Sequence, residues 1–259
     1  MHTSEFPPVA VELATVEATQ PAAPVAPSFG PRRALWIVLS YILTQFLVAF
    51  PLGIAFGIAH MKLSAAPMML ITIVGAVAGT AVAWRMARVS FGSQAPLEFR
   101  DTLGVRSTTQ QQIAIAVAVG LLLSAFNGLV LISVFPPSST QDLGPLDAAM
   151  NEGGWARLMC TFFAVCVAPP TEEFMFRGVL FAGLARRLPA TLAASISIGA
   201  FVLMHVNSAS PYWPGLFAVS LVGQASQLAR MKTGSLVPGI ALHTAYNAAL
   251  FVLAYQQQP

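Results

Sequence analysis

Charged side chains are scarce in this chain. Only 9% of its 259 residues are Asp, Glu, Lys or Arg, whereas 56% are hydrophobic. Soluble globular domains carry about 25% charged residues, so this composition excludes an ordinary water-soluble domain. The formal net charge of +3 does not indicate a nucleic-acid-binding protein, because the basic residues are dispersed between apolar runs rather than gathered on one face.

Cysteine and the sequence motifs of common hydrolases are also scarce or absent, which limits the kinds of catalytic site that the chain can form. Cysteine occurs only as Cys160 and Cys166, six positions apart in one apolar run, which is not a paired metal-ligand spacing. We interpret both as small buried hydrophobic residues. The chain also has neither an H-E-x-x-H zinc motif nor a G-x-S-x-G nucleophile motif. The signatures of two common hydrolase classes are therefore missing.

Long apolar runs dominate the chain after residue 33. About 20 apolar residues are enough for a helix to cross a hydrocarbon core of about 30 Å. The sequence therefore predicts an all-α fold, a polytopic transmembrane helix bundle with about seven spans. The predicted helices are residues 34–59, 65–87, 110–134, 155–186 with a break at Pro169 and Pro170, 189–206, 213–229 and 236–254.

The predicted helices divide the chain into one membrane domain and two tails. Residues 1–33 are rich in Pro, Ala, Val and Thr and are predicted to be a flexible tail without a cleavable signal peptide. Residues 34–254 form the predicted transmembrane domain, and residues 255–259 form a short C-terminal tail.

The positions of the basic residues predict an orientation in the membrane. Cytoplasmic loops carry an excess of Lys and Arg. With the N-terminal tail inside, only Lys62 and Arg157 would lie outside, and the C-terminus would be external. Residues 136–154 would then form the main external loop. The basic residues placed inside are Arg32, Arg33, Arg85, Arg88, Arg100, Arg106, Arg186, Arg187, Arg230 and Lys232.

Charges interrupt one apolar run, in the stretch APPTEEFMFRG that begins at Ala168. An unpaired charge at the centre of a membrane helix costs about 2.5 to 3.5 kcal/mol. Glu173 and Arg177 are four positions apart, a spacing that places both on one helix face as an ion pair. Glu172 is rotated by about 100° from Glu173, so its neutralising partner must come from another helix.

A different interpretation places these charges in the lipid headgroup region. Pro169 and Pro170 would break the helix, and Thr171 would cap a new one whose first turn is acidic. Arg186 and Arg187 would then lie at the far end of an interfacial helix.

Polar residues in two other apolar runs favour a site inside the bundle. His205 closes the run FVLMH, and His243 and Asn247 lie four positions apart in HTAYN, on one helix face. At about 1.5 Å per residue from the cytoplasmic basic residues, Glu172, His205 and His243 lie at depths of roughly 22, 24 and 16 Å. These depths permit the three groups to converge in one layer.

Such a cluster supports two chemistries. A carboxylate in a low-dielectric cavity can accept a proton from water, while His or Asn donors stabilise the developing oxyanion. Two histidines and glutamates could instead bind a divalent metal. The spacing of the residues does not choose between these possibilities.

Taken in order, EEFMFRG, FVLMH and HTAYN resemble the motifs of the CAAX protease and bacteriocin-processing family of intramembrane proteases, also called the Abi family. The family pattern is EExxxR, then FxxxH, then HxxxN or HxxxD. The resemblance covers about residues 155–254, which we therefore predict to be the catalytic core. The matching residues are Glu172, Glu173, Arg177, Phe201, His205, His243 and Asn247.

The resemblance implies hydrolysis of a peptide bond within the membrane. By analogy, Glu172 activates water together with His205. His243 and Asn247 form the side that stabilises the oxyanion, and the ion pair predicted above supports the site. The implied partners are a membrane-associated peptide or protein substrate and the lipid bilayer, with no nucleic acid. We expect no obligatory cofactor, although a divalent metal such as zinc is the alternative.

Two other functions remain open from the sequence. A non-catalytic membrane scaffold or bacteriocin-immunity protein could retain the polar cluster to hold helices together. A transporter could use the carboxylates as a proton relay. Arginine outnumbers lysine, which is typical of a high-GC bacterium. We therefore expect the bacterial inner membrane as the location, and a prenylated substrate is not expected.

Overall fold

The computed structural model describes residues 29–58, 64–91, 96–136, 145–206 and 212–256. All regular secondary structure within these ranges is helical, which confirms the predicted all-α class. Residues 1–28 and 257–259 of the predicted tails, and residues 137–144 of the predicted external loop, lie outside the described residues. The division of the chain into tails and one membrane domain stays a prediction.

Nine helices follow one another within the described ranges. They are α1 (Pro31–Ile58), α2 (Ala65–Phe91), α3 (Pro96–Leu103), α4 (Gln110–Val134), α5 (Pro145–Glu152), α6 (residues 154–185), α7 (Ala190–Met204), α8 (Trp213–Thr233) and α9 (Val237–Gln256). Proline is well suited to a first helical turn because its missing N–H has no intrahelical role there. Residues 31–33 are therefore helical rather than part of the tail, and α9 continues into the predicted C-terminal tail as far as Gln256.

Four of these helices are long and apolar enough to cross a membrane, by length and composition: α1 over Pro31–Phe56, α2, α4 and α9. Helix α7 is apolar but shorter. Large apolar side chains such as Phe50, Leu122 and Val252 are more than half exposed on the outside of the bundle. An apolar surface of this extent belongs against lipid. The chain has the helices of a multi-pass membrane protein, and the total of about seven spans stays a prediction.

Two short helices, α3 and α5, are not predicted by the sequence. Each has eight residues of mixed polarity, too short to show a strong helical period. Helix α3 is held by tertiary packing, because Phe99 and Leu103 lie in the main hydrophobic core. Helix α5 lies within residues 136–154, which we predicted to be an external loop.

Residues 154–185 form one continuous helix, so the predicted break at Pro169 and Pro170 is wrong. The helix widens into a π-type turn at Phe163–Val167, where the N–H of Ala168 donates to the carbonyl five residues earlier. Proline cannot donate a backbone hydrogen bond and crowds the preceding turn. The wider turn lets the helix continue past both prolines.

The two prolines leave carbonyls of α6 without a partner inside the helix. The carbonyl of Val165 would need an N–H from four or five positions later, and both of those positions are proline. Helix α9 supplies the donors instead. The Thr244 hydroxyl donates to the Val165 carbonyl at 3.3 Å, and Asn247 Nδ2 donates to the Ala164 carbonyl at 2.6 Å. These two bonds join α6 to α9.

Thr171 does not cap a new helix. Its hydroxyl donates to the carbonyls of Val167 and Ala168, at 3.0 and 2.9 Å, and the side chain is buried within α6. The interpretation of Glu172 and Glu173 as the first turn of an interfacial helix is therefore wrong.

The two cysteines differ in their surroundings. Cys160 is buried, as predicted, but Cys166 is exposed on α6, so its predicted burial is wrong. Six helical positions amount to about 600° of rotation, which places the two side chains on different faces.

Close contacts between helices hold the bundle together. Helix α1 packs on α2 and α6, while α9 packs on α4 and α8. A Cβ atom at Gly120 of α4 would collide with the carbonyl oxygen of Leu242 in α9. Glycine therefore permits the two helices to touch through their backbones.

Candidate active site

A buried ion pair lies at the centre of the candidate site. Glu173 Oε1 and Arg177 Nη1 are 3.3 Å apart on α6, four positions apart as predicted, and both residues are 0% exposed. Arg177 Nη2 donates to the carbonyl of Gly223 in α8 at 2.8 Å. Its guanidinium also lies over the Phe201 ring, 4.3 Å from the ring centre. The positive charge is therefore fixed by three helices.

Glu173 has a second partner that the sequence does not reveal. Its Oε1 lies 3.3 Å from His243 Nδ1. A carboxylate oxygen can only accept, so Nδ1 of His243 carries the proton in this bond. A Cβ atom at Gly239, four positions before the histidine, would lie 2.8 Å from Glu173 Oε2. Glycine at that position permits α9 to approach the carboxylate.

Glu172 lies next to two histidines from other helices. Its Oε2 is 3.8 Å from His243 Nε2 and 4.0 Å from His205 Nε2. These distances are longer than direct hydrogen bonds. The Glu172 side chain is 19% exposed, unlike the fully buried Glu173. Two adjacent carboxylates thus have different surroundings, and His243 lies between them.

His205 is oriented by the backbone of its own helix. The residue caps the C-terminus of α7, and its Nδ1 lies 2.8 Å from the carbonyl of Phe201. Since a carbonyl only accepts, Nδ1 is the donating nitrogen. Nε2 is then the nitrogen that faces Glu172, and in the neutral ring it carries a lone pair.

Asn247 lies on the same helix face as His243, one turn further along α9. Its Nδ2 is bonded to the Ala164 carbonyl rather than to either carboxylate. The structure therefore brings five of the six predicted site residues into one contact network and places Asn247 on the wall beside them. Their catalytic roles stay predictions.

A cavity of about 510 Å³ connects these side chains. Its walls are mainly apolar, and Glu172, His205, His243 and Asn247 all contribute to them. A volume of this size is typical of small-molecule or peptide-side-chain sites. Polar residues that the sequence analysis missed also line it: Tyr41, Gln45, Thr72, Asn127 and Tyr246. Each stands in an apolar run, and a lone polar group within a span is the signal that could have found it.

The described side chains do not form a metal site. Within the described ranges, no group of three or more His, Cys, Asp or Glu residues is placed to hold a metal ion. Zinc binding needs at least three protein ligands at about 2.0 to 2.3 Å. The expectation of catalysis without an obligatory metal stays a prediction.

Comparison with protein families identifies the part of the chain that carries this geometry. Residues 154–249 match the family described as type II CAAX prenyl endopeptidase Rce1-like. Residues 154–249 form an Rce1-like domain. Comparison with curated proteins and with solved structures gave no significant match.

The Rce1-like domain extends from the start of α6 into the second half of α9 and includes all six predicted site residues. Helices α1 to α5 lie before it. The family assignment of the sequence motifs is confirmed, and it implies an intramembrane protease with a protein substrate. Substrate identity and the individual catalytic steps belong to the proposal below.

Proposed function

We propose that this protein is an intramembrane endopeptidase in which Glu172 activates a water molecule for attack on a peptide carbonyl. One observation carries the proposal: Glu172 Oε2 lies within 4.0 Å of the Nε2 atoms of both His205 and His243, in a cavity inside an apolar bundle. A carboxylate placed between two imidazoles in a low-dielectric cavity is suited to general-base catalysis.

The water is activated by Glu172 with His205. The gap of 4.0 Å between Glu172 Oε2 and His205 Nε2 is too long for a direct hydrogen bond. A water held between these atoms donates one proton to each acceptor, and its oxygen attacks the substrate carbonyl carbon. Glu172 accepts the proton as the new C–O bond forms. General-base assistance of this kind contributes about 10² to 10⁴ in rate.

His243 and Asn247 stabilise the oxyanion that results from the attack. In its doubly protonated form, His243 uses Nδ1–H for Glu173 and keeps Nε2–H for the substrate oxygen. Asn247 Nδ2 has two N–H groups, of which one is bonded to Ala164, so the second remains for the same oxygen. Donors fixed in advance stabilise the developing charge without reorganisation.

The ion pair of Glu173 and Arg177 positions His243. Glu173 Oε1 is shared between the guanidinium and the imidazole, at 3.3 Å from each. This contact fixes the ring so that Nε2 faces Glu172. Collapse of the tetrahedral intermediate then breaks the C–N bond, and Glu172 returns its proton to the leaving amine.

The cavity favours catalysis over a scaffold or a proton relay. A polar cluster that only joined helices would be packed against neighbouring side chains. Here Glu172 borders about 510 Å³ of space with mainly apolar walls, which suits a peptide segment. We propose a non-prenylated, membrane-associated peptide or protein as the substrate, and the inner membrane of a bacterium as the location, with the N-terminus inside.

Cleavage of hydrophobic peptides by the purified protein tests this function. The protein is reconstituted into liposomes with a library of fluorescence-quenched transmembrane peptides, and products are identified by mass spectrometry. We expect internal peptide bonds to be cleaved by the parent protein and not by Glu172→Gln. Absence of cleavage by a folded parent protein across the library, or equal cleavage by Glu172→Gln, contradicts the proposal.

A further inference from the structure

A second polar pair lies on the wall of the cavity, and the mechanism above does not use it. Asn127 Nδ2 of α4 donates to the Tyr246 hydroxyl of α9 at 3.0 Å. The residues are 8% and 6% exposed, and both line the cavity that contains Glu172. Asn127 lies before the Rce1-like domain, so this pair connects the upstream helices to the candidate site.

Local backbone geometry places Asn127 against α9. It begins a π-type turn, Asn127–Leu131, in which the N–H of Ile132 donates to the Asn127 carbonyl. Such turns widen a helix by one residue and occur frequently at functional sites. Gly120, where α4 touches the backbone of α9, lies seven residues, about two turns, before Asn127 and therefore on the same face of α4.

The pair retains one acceptor and one donor. Asn127 Oδ1 is buried and has no hydrogen-bond partner among the described residues. The Tyr246 oxygen accepts from Asn127, so its own proton remains available to another acceptor. A buried polar atom without a partner is destabilising, so a hydrogen-bond donor placed against Asn127 Oδ1 would stabilise the site.

The position of the pair suits the backbone of a peptide substrate. Tyr246 follows His243 by three residues on α9, which is about 4.5 Å along the helix axis. An extended peptide advances about 3.3 Å per residue. A peptide that runs along α9 with its scissile carbonyl at His243 therefore brings the backbone of an adjacent residue close to Tyr246.

We propose that Asn127 and Tyr246 form a subsite for the substrate backbone, next to the scissile bond. The Tyr246 hydroxyl donates to a peptide carbonyl, and Asn127 Oδ1 accepts from the N–H of the same residue. A residue in extended conformation presents its N–H and C=O on the same side, as in a β-ladder. The ligand is therefore an unwound, extended segment of polypeptide. This inference rests on the proposed function, because it assumes a peptide in the cavity.

Binding can be measured separately from cleavage. Glu172→Gln protein in liposomes is titrated with a fluorescein-labelled hydrophobic peptide. The peptide is one that the parent protein cleaves or, if no peptide is cleaved, one that the Glu172→Gln protein binds. Adding Tyr246→Phe to this variant should weaken binding about three- to tenfold, the value of one hydrogen bond. Tyr255→Phe is the matched control, since that hydroxyl contacts Thr161 and lies outside the cavity lining.

Backbone esters test the Asn127 half of the subsite. An ester scan along the same peptide removes one N–H at a time. One position next to the cleavage site should weaken binding about three- to tenfold, and Asn127→Leu should abolish the effect of that ester. An aliphatic side chain of similar size keeps the packing and removes the acceptor.

The outcomes separate this inference from the proposed function. Unchanged affinity in Tyr246→Phe, or an ester effect that persists in Asn127→Leu, overturns the subsite even if the parent protein cleaves peptides. A drop in thermal stability with unchanged affinity assigns the pair to helix packing and also overturns it. If peptides bind with the expected pattern but are never cleaved, the endopeptidase function fails and the subsite stands.

Discussion

Loss of the buried Glu173 carboxylate should destabilise the protein far more than loss of the neighbouring Glu172 carboxylate. Glu173→Gln leaves the Arg177 guanidinium, which is 0% exposed, without the carboxylate now 3.3 Å away. Removal of one partner from a buried ion pair costs about 3 to 5 kcal/mol, because the other charge remains buried. The free energy of unfolding should fall by an amount in this range.

Arg177 keeps two other contacts in Glu173→Gln, so the expected loss of unfolding free energy lies near the lower limit of that range. Nη2 keeps its bond to the Gly223 carbonyl, and the guanidinium keeps its contact with the Phe201 ring. A desolvated cation–π contact contributes about 2 kcal/mol. We therefore expect a loss of about 3 kcal/mol in the unfolding free energy of Glu173→Gln.

Glu172→Gln is the matched control at the adjacent position. The Glu172 side chain is 19% exposed, and its Oε2 makes no direct hydrogen bond to either histidine, at 3.8 and 4.0 Å. The unfolding free energy should change by less than about 1 kcal/mol, while peptide cleavage is lost. Glu173→Gln should lose both stability and cleavage, because His243 loses its orienting partner.

Denaturant unfolding in detergent, followed by the fluorescence of the four tryptophans, measures these differences. The double variant Glu173→Gln/Arg177→Met removes both charges and should recover most of the lost stability, without recovery of cleavage. Equal stability of Glu173→Gln and Glu172→Gln would refute the assignment of the ion pair. Normal cleavage by Glu172→Gln, with cleavage abolished in a stable Glu173→Gln, would show that the two roles are reversed.

Three further predictions follow from the site and the helices. Reporter fusions after Leu103 and after Gly144, which lies outside the described residues, should report cytoplasmic and external locations respectively; the opposite pattern contradicts the topology. Elemental analysis of active protein should find no stoichiometric zinc, and activity lost on zinc removal and restored on its return would contradict metal-free water activation. Thr244→Val should lower the unfolding free energy by about 1 to 3 kcal/mol with peptide cleavage retained. Asn247→Ala should lower both the unfolding free energy and the rate of peptide cleavage, as measured by unfolding and peptide assays. Full activity in Asn247→Ala excludes its oxyanion role.

The parts of the site that follow local rules were predictable from the sequence. Four-residue spacing on one helix face predicts the contact of Glu173 with Arg177, and that contact is present. The need for a distant partner for Glu172 also follows from helix geometry, and two histidines lie beside it. These features depend only on helical periodicity and on the cost of charge in an apolar bundle.

The features that depend on partners from other helices were not predictable. Proline at two successive positions normally predicts a helix end, but Thr244 and Asn247 satisfy the carbonyls left open, so the helix continues. The contact between Glu173 and His243 and the pair of Asn127 and Tyr246 are likewise interactions between distant segments. Periodicity along one helix contains no information about such contacts.

The hydrogen bonds between α6 and α9 also fix the axial alignment of the two helices. A slide of α9 by one turn, about 5.4 Å, would remove the Thr244 donor from the Val165 carbonyl and leave that carbonyl unsatisfied in an apolar interior. The same slide would move His243 away from both glutamates. The proline pair, which ends two positions before Glu172, thus fixes the axial position of α9 against α6 and keeps His243 beside both glutamates.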